Sequence, residues 1–178
     1  MKVRLFALVA CMMLLSFVGE AQNLKIGYIN VEKVFSEWPE FKAANTELQE
    51  YETQLQTRLQ AKVKDFQTKV AAYNQAVEAG QMDALTQKDT ETELQNLQTQ
   101  IQQFEANAQQ SIGEKNQTLT VPLQTKLKNT IDAVSKENGY THVLSLNSAL
   151  IFTSDKGGDI SSLVAQKLGF TLSSSSGN

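Results

Sequence analysis

Cysteine occurs once in this 178-residue chain, histidine once, tryptophan once and proline twice. The one cysteine, Cys11, falls in an N-terminal apolar run that reads as an export leader, so a processed chain carries no thiol. Disulfides and a cysteine nucleophile are thereby excluded, and stability has to come from packing. His142 has no second histidine or cysteine within a ligand pattern, which argues against a metal; it reads as a strand-edge residue. No nucleophile, base and orienting group are assembled, and no glycine loop follows a strand to cradle phosphate. Neither an enzyme nor a cofactor is expected. A basic excess is missing too: 16 Lys and Arg stand against 19 Asp and Glu. Removing Lys2, Arg4 and Glu20 with the leader leaves 14 against 18, a net charge of −4, which gives no electrostatic footprint for nucleic acid.

The leader is read from its three regions. Lys2 and Arg4 precede the apolar stretch Leu5 to Val18, and Gly19-Glu20-Ala21 offers small residues at a cleavage site, so the mature chain is expected to begin at Gln22. About 14 apolar residues fall short of the roughly 20 that a bilayer span requires. Leu8-Val9-Ala10-Cys11 resembles a lipoprotein cleavage box but leaves almost no apolar region before the cysteine, so lipid anchoring at Cys11 is not expected.

The chain does have two long helical periods. Phe41, Ala44, Leu48, Tyr51, Leu55, Leu59, Val63, Phe66, Val70, Tyr73 and Val77 recur at steps of three or four residues. Their mean spacing predicts two helices packed with little supercoil. A second stripe runs through Leu94, Leu97, Ile101, Phe104, Ala108, Ile112, Leu119, Leu123, Leu127, Ile131 and Val134, with Lys115 where an apolar rung is missing. Gly80 supplies a C-terminal stop and Asp83 an N-cap, so the chain reverses at a tip near 79–83. Residues 39–138 thus read as an antiparallel helical hairpin, an arm. Pro122 lies within its second helix and costs a backbone hydrogen bond, marking either a flexing point or a fixed kink.

Residues 22–38 and 139–170 are left to form a small body. Leu24 to Asn30 reads as a strand, and Asn30 caps a short helix carrying Val31, Val34 and Phe35. Trp38 before Pro39 ends it and sets the start of the arm. Asn138-Gly139 closes the arm. Residues 142–146 and 150–153 read as strands joined by a turn at Asn147-Ser148, and Asp159 caps a last helix with Ile160, Leu163, Val164 and Leu168. Asp155-Lys156-Gly157-Gly158-Asp159 lacks the oxygen-ligand density of a calcium loop and reads as a plain turn. Residues 171–178 read as a disordered tail. The fold class is α+β, a long coiled-coil arm on a β body too small to be stable alone, which therefore oligomerises.

Lys25-Ile26-Gly27-Tyr28-Ile29-Asn30 with Val34-Phe35, the hairpin, the run from Pro122 to Leu127, Ile131 through Tyr140, Val143-Leu144 and Asp159-Ile160 together resemble the Skp (OmpH-like) family of periplasmic chaperones. The resemblance spans the whole mature chain, and it is specific at the two ends and weak in the arms. It implies a periplasmic, ATP-independent holdase, a homotrimer joined through β strands, whose arms enclose unfolded outer-membrane β-barrel precursors. On that resemblance the body residues are Ile26, Tyr28, Ile29, Val143, Leu144, Leu146 and Ile151. The arm seam is Leu48, Leu55, Phe66, Val70, Tyr73, Leu97, Ile101, Phe104 and Ile112. Client contact falls to the faces carrying Gln54, Gln56, Gln60, Gln95, Gln98, Gln102 and Gln109 with Ala71, Ala72 and Ala76. Better-known members are basic, whereas this chain is acidic, so electrostatic capture of clients or of a lipid surface is not carried over. The alternative is a structural coiled-coil spacer of the cell envelope that binds one folded partner.

Overall fold

The computed structural model describes residues 24–146, 150, 152–154 and 156–173. The leader, the 147–148 turn, Ile151, Asp155 and the residues after 173 lie outside the described residues. Strand β1 (Ile26–Ile29) is followed by α1 (Val31–Glu37), then by the arm helices α2 (Pro39–Glu78) and α3 (Ala84–Glu137). Strand β2 (His142–Ser145), a 3-10 turn (Lys156–Gly158) and α4 (Ser161–Lys167) complete the order. The architecture is α+β, dominated by the two long helices.

Local chemistry sets each boundary. The Asn30 side chain accepts from the Lys33 amide at 2.9 Å, capping α1, and Pro39 occupies the first turn of α2, where a missing N–H costs nothing. Gly80 at φ 65° turns the chain out of α2, and Asp83 accepts from the amides of Leu85 and Thr86 to start α3. Helix α3 runs without a break through Pro122, so the proline does not end it. At about 1.5 Å per residue, α2 is roughly 60 Å long and α3 roughly 80 Å.

The arm returns the chain beside its start, and β2 pairs with β1 in parallel, Ile26 opposite His142 and Ile29 opposite Ser145. Tyr28 also bridges to Asp159, so β1 is flanked on both sides. Alternation along the strands turns Ile29 and Val143 toward the core and Ile26, Tyr28 and Leu144 to the opposite face. On the core side, Trp38, Val34, Ile160 and Val164 are almost wholly enclosed, joined by Leu127 and Val134 from α3. Phe35, Phe41 and Leu123 pack around them. Gly27 is required by crowding: a Cβ there would stand 2.9 Å from the Tyr140 ring.

Three expectations need correction. The second strand expected at 150–153 is not formed: Leu150, Phe152 and Thr153 make no ladder, and Phe152 is 83% exposed. The Leu150 amide donates to the Ser145 carbonyl at the end of β2 at 3.2 Å, and no ladder follows among the described residues; strand propensity is a weak preference that context overrides. Asp159 sits one place too early to be the N-cap of α4, which is Ile160; its carboxylate instead accepts from the Ser161 amide at 2.9 Å. Residues 171–173, expected within a disordered tail, are held: Leu172 packs against the core and Ser173 hydrogen-bonds to Glu37 of α1.

Trp38→Ala should therefore cost about 3–5 kcal/mol by emptying the centre of the core. Asp83→Ala should cost only about 1 kcal/mol, confined to the arm tip. Urea unfolding followed by far-ultraviolet circular dichroism measures both; equal losses would contradict the assignment of the core to Trp38.

Candidate functional site

Two surfaces stand out, one along the arm and one on the body. Along the arm, three ion pairs tie α2 to α3: Lys69 to Glu93 at 2.5 Å, Glu47 to Lys115 at 2.5 Å and Glu40 to Lys126 at 2.6 Å. From 69 down to 47 and from 93 up to 115 the steps are equal, so one antiparallel register holds over that stretch. Near the tip the Tyr73 hydroxyl donates to Glu91 at 2.6 Å, which lifts the phenol above its ordinary pKa. Lys115, the polar interruption of the apolar stripe, reaches sideways to Glu47 and spares the seam an unpaired cation.

The seam residues Leu48, Leu55, Phe66, Val70, Tyr73, Leu97, Ile101, Phe104 and Ile112 all lie half-buried. Two helices cannot enclose a shared stripe, because each rung is covered from one side only. Only Ala44, Leu127 and Val134, nearer the body, are buried along the arm. Gln54, Gln56, Gln60, Ala71, Ala72, Gln95, Gln98, Gln102 and Gln109 are exposed, and Ala76 is half-buried. Between the helices a groove of about 710 Å³ opens beside Leu55, Leu59, Ala108 and Ile112. The stripe marked Ala108 as one more apolar position; its small volume, which opens the groove, was the signal overlooked.

The body residues divide. Ile29 is buried in the core of the chain itself, and Val143 packs against that core. Ile26, Tyr28, Leu144 and Leu146 are half-buried or exposed on the opposite face, with Leu24 at 64% and Ile26 at 44% exposure. Ile151 lies outside the described residues. Sequence reasoning used Trp38 only as a boundary, although a lone tryptophan beside a helix-starting proline is the kind of residue that anchors a junction. Lys126 approaches the Trp38 ring to 5.6 Å while pairing with Glu40.

The family description "Outer membrane protein (OmpH-like)" matches residues 25–168, taking in both ends of the body and the entire arm. The chain belongs to the OmpH-like family. A relative, "Chaperone protein Skp" of Yersinia enterocolitica, is 28% identical over 142 residues, covering 73% of this chain and 78% of its own. The fold is that of a solved OmpH-like chain from Caulobacter crescentus, described as a candidate outer membrane chaperone, with a TM-score of 0.72 at 13% identity over 80% of this chain and 82% of that one. At that identity the likeness speaks for the fold. No helix among the described residues is long and apolar enough to cross a membrane.

One further contact has a pH signature. The Glu37 carboxylate accepts from the amide and the hydroxyl of Ser173, each at 2.6 Å, and these bonds hold its pKa below the ordinary 4.5. A depressed folded value contributes stability above the unfolded pKa, and that contribution is lost as pH falls from about 4.5 through the folded value. Protection of the Ser173 amide from hydrogen exchange, relative to the intrinsic rate at each pH, should fall across that acid range, and Glu37→Gln should flatten the dependence. A profile unchanged by Glu37→Gln would mean the clasp does not hold the segment.

Proposed function

We propose that the protein is an ATP-independent periplasmic holdase that binds unfolded outer-membrane β-barrel precursors between its arms and keeps them from aggregating. The observation that carries this reading is the arm itself: some 60 Å of paired helix, joined to the body at its base, whose seam stays half-open and whose outer faces are rich in glutamine with small alanines among them. Such a surface can make many weak polar and apolar contacts and release them without nucleotide. Membership in the OmpH-like family, with a relative named as a chaperone, supports the same reading.

Assembly is assigned to the body, with a homotrimer as its form. The outward sheet face of Ile26, Tyr28 and Leu144, with Phe152 standing almost fully exposed beside the body's loops, presents apolar surface that a lone small body does not keep in water. Residues 1–21 fit a cleaved export signal, which supports a periplasmic location for the mature chain.

Deleting residues 64–101 and rejoining the helices by a short turn should preserve the oligomer yet sharply weaken suppression of barrel-precursor aggregation, scored by light scattering. Protection as good as that of the intact protein would favour a spacer that binds one folded partner. Sedimentation of the mature protein at micromolar concentration should give a trimer, and Ile26→Asp should dissociate it, because a charge on that face loses its water on assembly. A folded monomer in the unaltered protein would overturn the assembly.

A further inference from the structure

The groove at mid-arm has both a shape and a charge. The register fixed by Lys69–Glu93 and Glu47–Lys115 sets Leu55 level with Asn107, one residue from Ala108, and the small side chain of Ala108 leaves a trough floored by Leu55, Leu59 and Ile112. Its volume of about 710 Å³ is of the size that accepts a large apolar side chain together with the chain that bears it. Gln56 on α2 and Gln109 on α3 line the walls, and each amide offers both donors and an acceptor to an extended backbone.

The charged residues that line the trough are Glu52 and Glu105; Arg58, at the same level of α2, is not among its lining residues. Between Lys42 and Arg58 the first helix carries Glu47, Glu50 and Glu52 with no base, and between Lys88 and Lys115 the second carries Asp89, Glu91, Glu93, Glu105 and Glu114 with none. Glu47 and Glu93 are neutralised by lysines across the arm. Glu52 and Glu105, one on each helix and both lining the trough, have no cation within ion-pair distance among the described residues. An apolar floor between two unpaired carboxylates favours an occupant with an apolar side chain flanked by positive charge.

We propose that this groove binds an extended client segment in which an aromatic or aliphatic residue is flanked by lysine or arginine. The inference rests on the holdase reading and gives that reading a local specificity, which the acidic whole-chain balance alone does not supply. A second copy's arm is disfavoured as the occupant, since it would bring the same carboxylates against these.

The test uses the full mature protein and two fluorescein-labelled peptides of alternating valine and tyrosine, one flanked by lysines and the other by glutamates, titrated by anisotropy. The lysine peptide should bind about fivefold more tightly, as two exposed ion pairs allow. Glu52→Lys combined with Glu105→Lys should reverse that order. Ala108→Phe should fill the trough, weakening both peptides severalfold while raising the arm's unfolding temperature, a combination that damage to the fold would not produce. Equal binding of the two peptides, an order unmoved by charge reversal, or undiminished binding to the filled groove each overturns the proposal. A change of oligomer mass on Ala108→Phe overturns it in favour of a second copy. If any of these occurs while the unaltered protein still keeps an unfolded barrel precursor soluble, the groove assignment falls and the holdase reading stands. Failure of the unaltered protein to do so overturns both.

Discussion

Everything beyond the body hangs on the burial of Trp38. Its ring closes the core formed by Val34, Ile160 and Val164, and the next residue, Pro39, starts α2. The same indole sits against Lys126, and the core around it includes Leu127, so the root of α3 is fixed at the same point as the root of α2. A lever of some 60 Å magnifies any tilt at its base, and the direction of the arm is therefore set by a few side chains packed to the density of a protein interior. The inter-arm ion pairs are mostly exposed and add little energy each; their contribution is register.

Stability thus falls unevenly along the molecule. Near the body the seam is buried at Ala44, Leu127 and Val134, whereas toward the tip every rung is partly wet. Local opening should cost less free energy toward the tip than at the base, as few apolar contacts per residue imply. Under the holdase reading, a compliant wall on a rigid mount is a workable division. The half-open seam and the Ala108 trough both follow from pairing two helices and no more.

Much of this was legible in the sequence because the arm is governed by local rules. Helical period, the Asp83 cap, the Gly80 reversal and Pro39 at the helix start each act within a few residues, and each can be read without knowing the rest of the chain. The body is governed by distant partners. Residues 150–153 carry strand-forming types, yet Leu150, Phe152 and Thr153 join no ladder, because residue types alone do not say whether a segment meets a partner strand. That β1 and β2 run parallel, that Ile29 faces inward while Ile26 faces outward, and that Trp38 is the hub all depend on contacts across more than a hundred residues. The trough was hidden for a different reason: a periodicity counts Ala108 and Leu as equivalent apolar positions, and a groove is a matter of volume.

The parallel pairing of β1 with β2 sets an order of events for the newly made chain. Lys25 and Thr141, hydrogen-bonded at the edge of the sheet, are 116 residues apart, with the whole arm between them. An antiparallel hairpin forms from neighbours outward and can do so as soon as its turn has emerged, while the sheet must await the last part of the chain. The arm can therefore be in place before the body has a strand to close on, and closure of that sheet is the final step that fastens a free hairpin to its mount.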